Sequence, residues 1–275
     1  MSEARGRVVD AALHPAPREV EGIRAYLSPS YRQLSFPRPF RYLYPAPTGV
    51  PPYGEFRDDS RVDGGMPGSD IRATCAFLDE SGTDLAILVP LTRGLMPNLD
   101  LGSEICAATN AWLADTWLAD GAAGQRFRGS IRVNPEDSER AVAEIDRWSD
   151  HPGFVQVAVP LESHHPYGHR LYRRLWEAAA VAGLPVAVHS DGGAGTDFPP
   201  TPNGYPRFYV EYMTLYPVNF IYHLSSLIAE GVFDRVPDLR FVFADGGHDV
   251  LVPLMWRMDV DWPISRMETN RKSVV

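Results

Sequence analysis

The strongest constraint in this chain is a recurring unit: a short apolar, β-branched run that stops at a polar residue or a proline, followed by a stretch of helical periodicity. Pro185-Val-Ala-Val-His189-Ser-Asp-Gly-Gly193 shows the unit most clearly. An apolar run that ends at an imidazole and opens into glycines is the pattern of a buried parallel strand presenting a side chain at its carboxyl end. Runs of the same kind occupy residues 7–14, 85–90, 129–134, 154–160 and 239–245.

Helical spacing fills the intervals. Ser69 or Asp70 caps a helix that runs to about Ser81 and is stopped by Gly82. A helix over 103–120 carries Ile105, Ala108, Trp112 and Leu113, and Asn134-Pro135-Glu136 reads as the start of another, with Val142, Ile145 and Trp148 as its buried stripe. Leu171, Leu175, Trp176 and Ala179 line the next. A helix from about Pro217 carries Phe220, Ile221, Leu224, Leu227 and Ile228, and the last has Val250, Leu251, Leu254, Met255 and Met258 as its stripe. Strands alternating with helices give an α/β fold with a parallel sheet, and polar residues at successive strand ends favour a (β/α)8 TIM-barrel-like fold over an open sheet. A closed barrel needs eight strands, and the sequence encodes about six.

At 275 residues and 44% hydrophobic content, the chain can bury one large core, so residues 1–275 are read as one barrel domain. The interruption is residues 27–68, where prolines alternate with Tyr and Phe that call for burial; this reads as an ordered lid over one end of the fold. A net charge of −9 argues against nucleic-acid and membrane partners. Cys75 and Cys106 lack metal or redox spacing and read as buried thiols in a reducing compartment. No run approaches the roughly 18 apolar residues of a membrane span, and the first residues carry no apolar signal core, so the expected location is cytoplasmic.

His14, His189 and Asp245 fall at the carboxyl ends of strands, where barrel enzymes place their chemistry. Residues of these types suit a divalent metal that activates water or polarises a carboxylate or carbonyl. Each could equally hydrogen-bond a loop at the rim. Arg132 could pair with a substrate carboxylate or form an internal salt bridge. Asp191 and His248 sit just past strand ends and are candidate pocket residues. His223 lies on an apolar stripe and reads as a satisfied core histidine. Gly192-Gly193 and Gly246-Gly247 read first as tight turns needing positive φ, and second as anion cradles.

Several segments resemble the amidohydrolase superfamily, in the amidohydrolase 2 branch that includes aminocarboxymuconate semialdehyde decarboxylase-like enzymes. They are Gly64-Gly-Met-Pro-Gly-Ser-Asp70, Gly129-Ser-Ile-Arg-Val-Asn-Pro135, His151-Pro-Gly-Phe-Val-Gln-Val157, Pro185–His189, and Glu230–Arg240 continuing through Phe243-Ala-Asp-Gly-Gly247 to Asp259. The resemblance implies a barrel with one divalent metal, zinc or manganese, held by a pair on strand one, a histidine on strand five and an aspartate on strand eight. A polar residue ending strand six helps move a proton. By this resemblance His14 and His189 are metal ligands and Asp245 is the catalytic residue. Ala12 stands where the first member of the strand-one pair belongs, and strands seven and eight are not encoded, so the metal set is degenerate. The implied activity is that of a hydrolase or non-oxidative decarboxylase acting on a small cyclic carboxylated or amide substrate. The alternative is a metal-free homologue serving as partner subunit or scaffold, or using acid/base residues alone. Edges left by the missing strands lead to the expectation of a homodimer or a hetero-oligomer with a related subunit.

Overall fold

The computed structural model describes residues 6–18, 21–33, 62, 68–91, 98–119, 124–190, 204, 207–244 and 246–269. Most of the expected lid, Asp191, Gly192-Gly193 and Asp245 lie outside the described residues.

Six strands form one parallel sheet in strictly sequential order: β1 (Val9–Leu13), β2 (Leu85–Leu88), β3 (Phe127–Arg132), β4 (Phe154–Pro160), β5 (Val186–His189) and β6 (Phe241–Phe243). Two short helices, α1 (Glu21–Arg24) and α2 (Pro29–Arg32), follow β1, and α3 (Ile71–Glu80) leads into β2. The larger crossovers are α4 (Leu99–Thr116), α5 (Ser138–Trp148) and α6 (Arg173–Val181). After β5 come α7 (Tyr209–Leu215), α8 (Phe220–Ala229) and α9 (Val232–Arg235), and α10 (His248–Ser265) follows β6. Each parallel neighbour requires a crossover, so the chain winds in one direction. The described residues include no helix long and apolar enough to cross a membrane.

Burial follows position in the sheet. The central strands are walled on both faces: Ile131, Val157, Val159 and Val186 are fully buried. On the edge strands, Val9 is 46% and Val242 43% exposed. Trp117 against Phe127 and Trp176 against Phe241 make edge-to-face contacts between the helices and the sheet, with centroids 5.1 Å and 5.0 Å apart.

Local signals held where their partners are close in sequence. Asp70 caps α3: its carboxylate accepts from the Ala73 N–H at 2.9 Å, which holds it below the usual carboxylate range. Asn134 does not cap α5. Its amide oxygen accepts from the Glu136 N–H in a local turn, and Asp137 is the cap, taking the Arg140 N–H while accepting from Ser103 Oγ of α4. The buried stripe of α5 is Ala141 and Ile145, with Val142 beside it only half-buried. The helix expected over 103–120 starts earlier, at Leu99, because Asn98 caps it. Leu171 falls in a 3-10 turn before α6 and is exposed. Cys106 is buried and Cys75 is half-exposed.

The largest correction is α10, none of whose residues is fully buried: of the expected stripe Val250, Leu254 and Met258 are half-buried, while Leu251 and Met255 are exposed. Val252, Trp256, Val260 and Ile264 form an i, i+4 ridge that is 51–85% exposed. The helix follows the last strand of the sheet, so no further strand layer lies beside it among the described residues.

One buried amide ties the helices to the sheet. Asn110 of α4 accepts from the Arg132 backbone N–H at 2.7 Å and donates to the Arg132 carbonyl at 2.8 Å and to Glu144 of α5 at 2.9 Å. Asn110→Ala strands both backbone groups of Arg132 in a dry site. Urea unfolding is expected to show a loss of about 2–4 kcal/mol, since each orphaned buried group costs roughly 1–3 kcal/mol; a loss below about 0.5 kcal/mol would contradict this reading.

Candidate active site at the carboxyl ends of the strands

His189 is the last residue of β5 and is 1% exposed; His14 follows the last residue of β1 and is half-buried. Their rings meet edge to face with centroids 4.7 Å apart. In a flat sheet, strands one and five would be separated by four strand spacings, about 19 Å, more than two imidazole side chains bridge. The sheet therefore curls, and by an amount that brings strand one opposite strand five, as in an eight-stranded barrel. This is the barrel curvature that the sequence pattern predicts.

Each imidazole is oriented by the backbone. His14 Nδ1 lies 3.0 Å from the Val89 carbonyl at the end of β2, and His189 Nδ1 lies 2.6 Å from the Ser190 carbonyl. A carbonyl can only accept, so Nδ1 carries the proton in the neutral ring and Nε2 keeps its lone pair, the tautomer that a metal-ligating histidine uses. Gly68 (φ 73°) braces the end of β1: a Cβ there would stand 2.2 Å from the His14 carbonyl oxygen, and its own carbonyl accepts from the Ala16 N–H. Only glycine allows both the left-handed backbone and this approach.

The other sequence-derived candidates are placed less closely together. Arg132 ends β3 fully buried, with its charge inside the fold rather than on the rim. His248 is exposed at the first position of α10. Gly246 and Gly247 have φ of 111° and 76°, the turn reading. A Cβ on Gly247 would enter the Phe220 ring. Among the described residues, no group of three or more His, Cys, Asp or Glu side chains is arranged to hold a metal ion. The two histidines fit half of such a site.

Sequence reasoning missed Glu162, two residues beyond β4 and 8% exposed, whose carboxylate accepts a hydrogen bond from Tyr216 Oη. The available signal was its place past a strand end, the same criterion that singled out His189. His223 is the satisfied core residue expected: Nδ1 accepts from the Tyr167 N–H at 3.2 Å and Nε2 faces the Leu161 carbonyl at 2.6 Å. Burial lowers its pKa to about 4. Burial, more than the neighbouring Tyr172, also pushes the Tyr167 phenol well above its ordinary value.

The sequence matches the family model described as Amidohydrolase over residues 9–262. The structure is similar to that of an amidohydrolase of Mycobacterium avium subsp. paratuberculosis K-10, with TM-score 0.67 and 21% identity, covering 96% of this chain and 77% of that one. It is similar to 5-carboxyvanillate decarboxylase of Novosphingobium aromaticivorans DSM 12444, complexed with manganese and 4-hydroxy-3-methoxy-5-nitrobenzoic acid (TM-score 0.64, 20% identity, 97% of this chain and 74% of that one). For 2,6-dihydroxybenzoate decarboxylase from Rhizobium the values are 0.58, 20%, 73% and 64%, so this chain spans under two thirds of that enzyme. None of the curated proteins matches the sequence.

His223 binds its proton more weakly folded (about 4) than unfolded (6.5), so its neutral form stabilises the fold fully above pH 6.5. That contribution, roughly 3 kcal/mol, is lost as pH falls from 6.5 through 4. Thermal melts should show wild type losing stability across this window relative to His223→Gln; parallel curves would contradict the assignment.

Proposed function

The chain belongs to the Amidohydrolase family, and from that premise we propose that it is a metal-dependent enzyme, a non-oxidative decarboxylase or hydrolase, that acts on the carboxyl or amide group of a small cyclic substrate. The observation that carries the reading is the meeting of His14 and His189, each turned by a backbone carbonyl into the ligand tautomer. A divalent ion, zinc or manganese, would be held by these two residues and supply Lewis acidity toward a bound oxygen. A manganese-bound carboxyvanillate decarboxylase among the structural neighbours supports the carboxy-lyase form of the reading.

The chain's own residues have separable tasks in this proposal. The buried guanidinium of Arg132 favours a substrate that carries an anionic group. Asp245, one residue beyond Ala244 at the end of β6, is proposed as the group that moves a proton. Asp191 and His248 are proposed to contact substrate from the rim. A second reading, a metal-free homologue that works through acid/base residues or as a partner subunit, is favoured by one feature: Ala12 puts a methyl group where the resemblance implies a ligand.

Elemental analysis of protein made without added chelators separates the two. The proposal expects near-stoichiometric zinc or manganese, lost in His189→Ala together with more than about 100-fold of kcat/KM on a panel of hydroxybenzoates. Metal-free wild type that is nevertheless active, or that is isolated bound to a related subunit, would support the second reading instead.

A further inference from the structure

A second cavity, of ≈ 530 Å³, lies between the segment that leaves β1, the start of α3 and the end of α4. That volume falls within the roughly 300–1,000 Å³ of small-molecule sites. Ala16, Pro17, Ile71, Trp112 and Trp117 give it apolar walls, and neither His14 nor His189 lines it.

Two features of the lining are left unexplained by the packing of the fold. The Ser69 hydroxyl is enclosed and makes no hydrogen bond among the described residues. Folding disfavours that arrangement, because a buried polar group without a partner keeps its full desolvation cost. Its neighbours in sequence are committed elsewhere: Gly68 braces the His14 backbone and Asp70 caps α3. A serine turns between staggered χ1 wells, so this hydroxyl is available to a group that enters the cavity. The other feature is Gly22 of α1, which has no positive φ and therefore no backbone need for glycine. A Cβ there would project between two lining residues, 3.1 Å from Pro17 Cβ and 3.9 Å from the Trp112 indole nitrogen. The bare backbone keeps that corner open.

The charges set the class of occupant. Two guanidiniums, Arg18 and Arg72, stand in the lining against one carboxylate, Asp70. Asp70 Oδ1 is engaged by the Ala73 N–H at 2.9 Å, and Oδ2 is 3.9 Å from Arg18, beyond hydrogen-bonding range. Both arginines are exposed, so their forks are placed at the opening rather than in the apolar interior. We propose that this cavity binds a small organic anion: an apolar body seated against α1, α3 and α4, and one carboxylate or phosphate head held by Arg18 and Arg72 and accepting from Ser69 Oγ. It is a second ligand site, separate from the histidine pair, and it does not depend on a metal being held there.

The test uses the full chain and probes that share a hexyl body: hexanoate, hexyl phosphate, 1-hexanol and hexylamine. Binding is read from the 15N–1H indole signals of the six tryptophans, with Trp112→Phe identifying the reporter. Both anions are expected to shift the Trp112 signal saturably and to bind more tightly than hexanol, and hexylamine is expected not to bind. The tighter of the two anions identifies the head that the site recognises. Arg72→Gln, at an exposed position, should weaken that anion about tenfold and leave hexanol unchanged. Ser69→Ala should weaken it about fivefold with the thermal midpoint unchanged or raised, because the hydroxyl it removes has no partner in the free protein. Hexanol bound as tightly as the anions, no saturable shift, shifts confined to other tryptophans, or Arg72→Gln without effect would overturn the site. So would a lowered midpoint with unchanged affinity in Ser69→Ala, which would make the hydroxyl a structural group.

Discussion

Everything at the candidate site depends on two imidazoles, 175 positions apart in the chain, reaching the same point above the sheet. Contact between His14 and His189 at 4.7 Å is incompatible with a flat six-stranded sheet. Curvature brings the ends of strands one and five face to face, and that curvature comes from the twist of parallel strands wrapped by amphipathic crossovers. The fully buried β-branched residues of β3, β4 and β5 are the packing that maintains it. Once the ends meet, the backbone supplies the orientation: carbonyls of Val89 and Ser190 select the ring tautomers, and Gly68 fixes the end of β1.

Burial among the described residues changes from the centre of the sheet to its edges. Among the described residues β1 and β6 are the two edges of the sheet, and both expose valine side chains where the central strands bury theirs. The helix after β6 shows the consequence most directly. Its sequence is as apolar as that of a buried helix, yet Trp256 is 70% and Ile264 85% exposed. Amphipathic pattern reports which face of a helix is ready to be covered; coverage itself requires a neighbouring layer.

That distinction separates what could be read in the sequence from what could not. The strands ending at residues 160 and 189, the helix capped by Asp70 and the core placement of His223 were legible because each depends on local periodicity, a cap three residues away, or a polar residue on an apolar stripe. The shift of the α5 cap from Asn134 to Asp137 was not, because Ser103, 34 residues earlier, recruits the aspartate. Glu162 was passed over for the same reason. Its partner Tyr216 is 54 residues away, and its place past a strand end does not by itself separate it from a solvated rim charge. Of the site itself, the pair of histidines was legible as strand-end residues; their mutual contact is a property of the curl.

The most direct test of this account is the proximity of the two rings, measured as nuclear Overhauser contacts in protein selectively labelled at its eight histidines. Edge-to-face packing at the observed centroid distance places ring protons of His14 and His189 well within range, so the account predicts a cross-peak between them that disappears in His14→Ala. Assigned ring signals for both residues with no contact between them would show that the strand ends do not converge, and the site as described here would not exist.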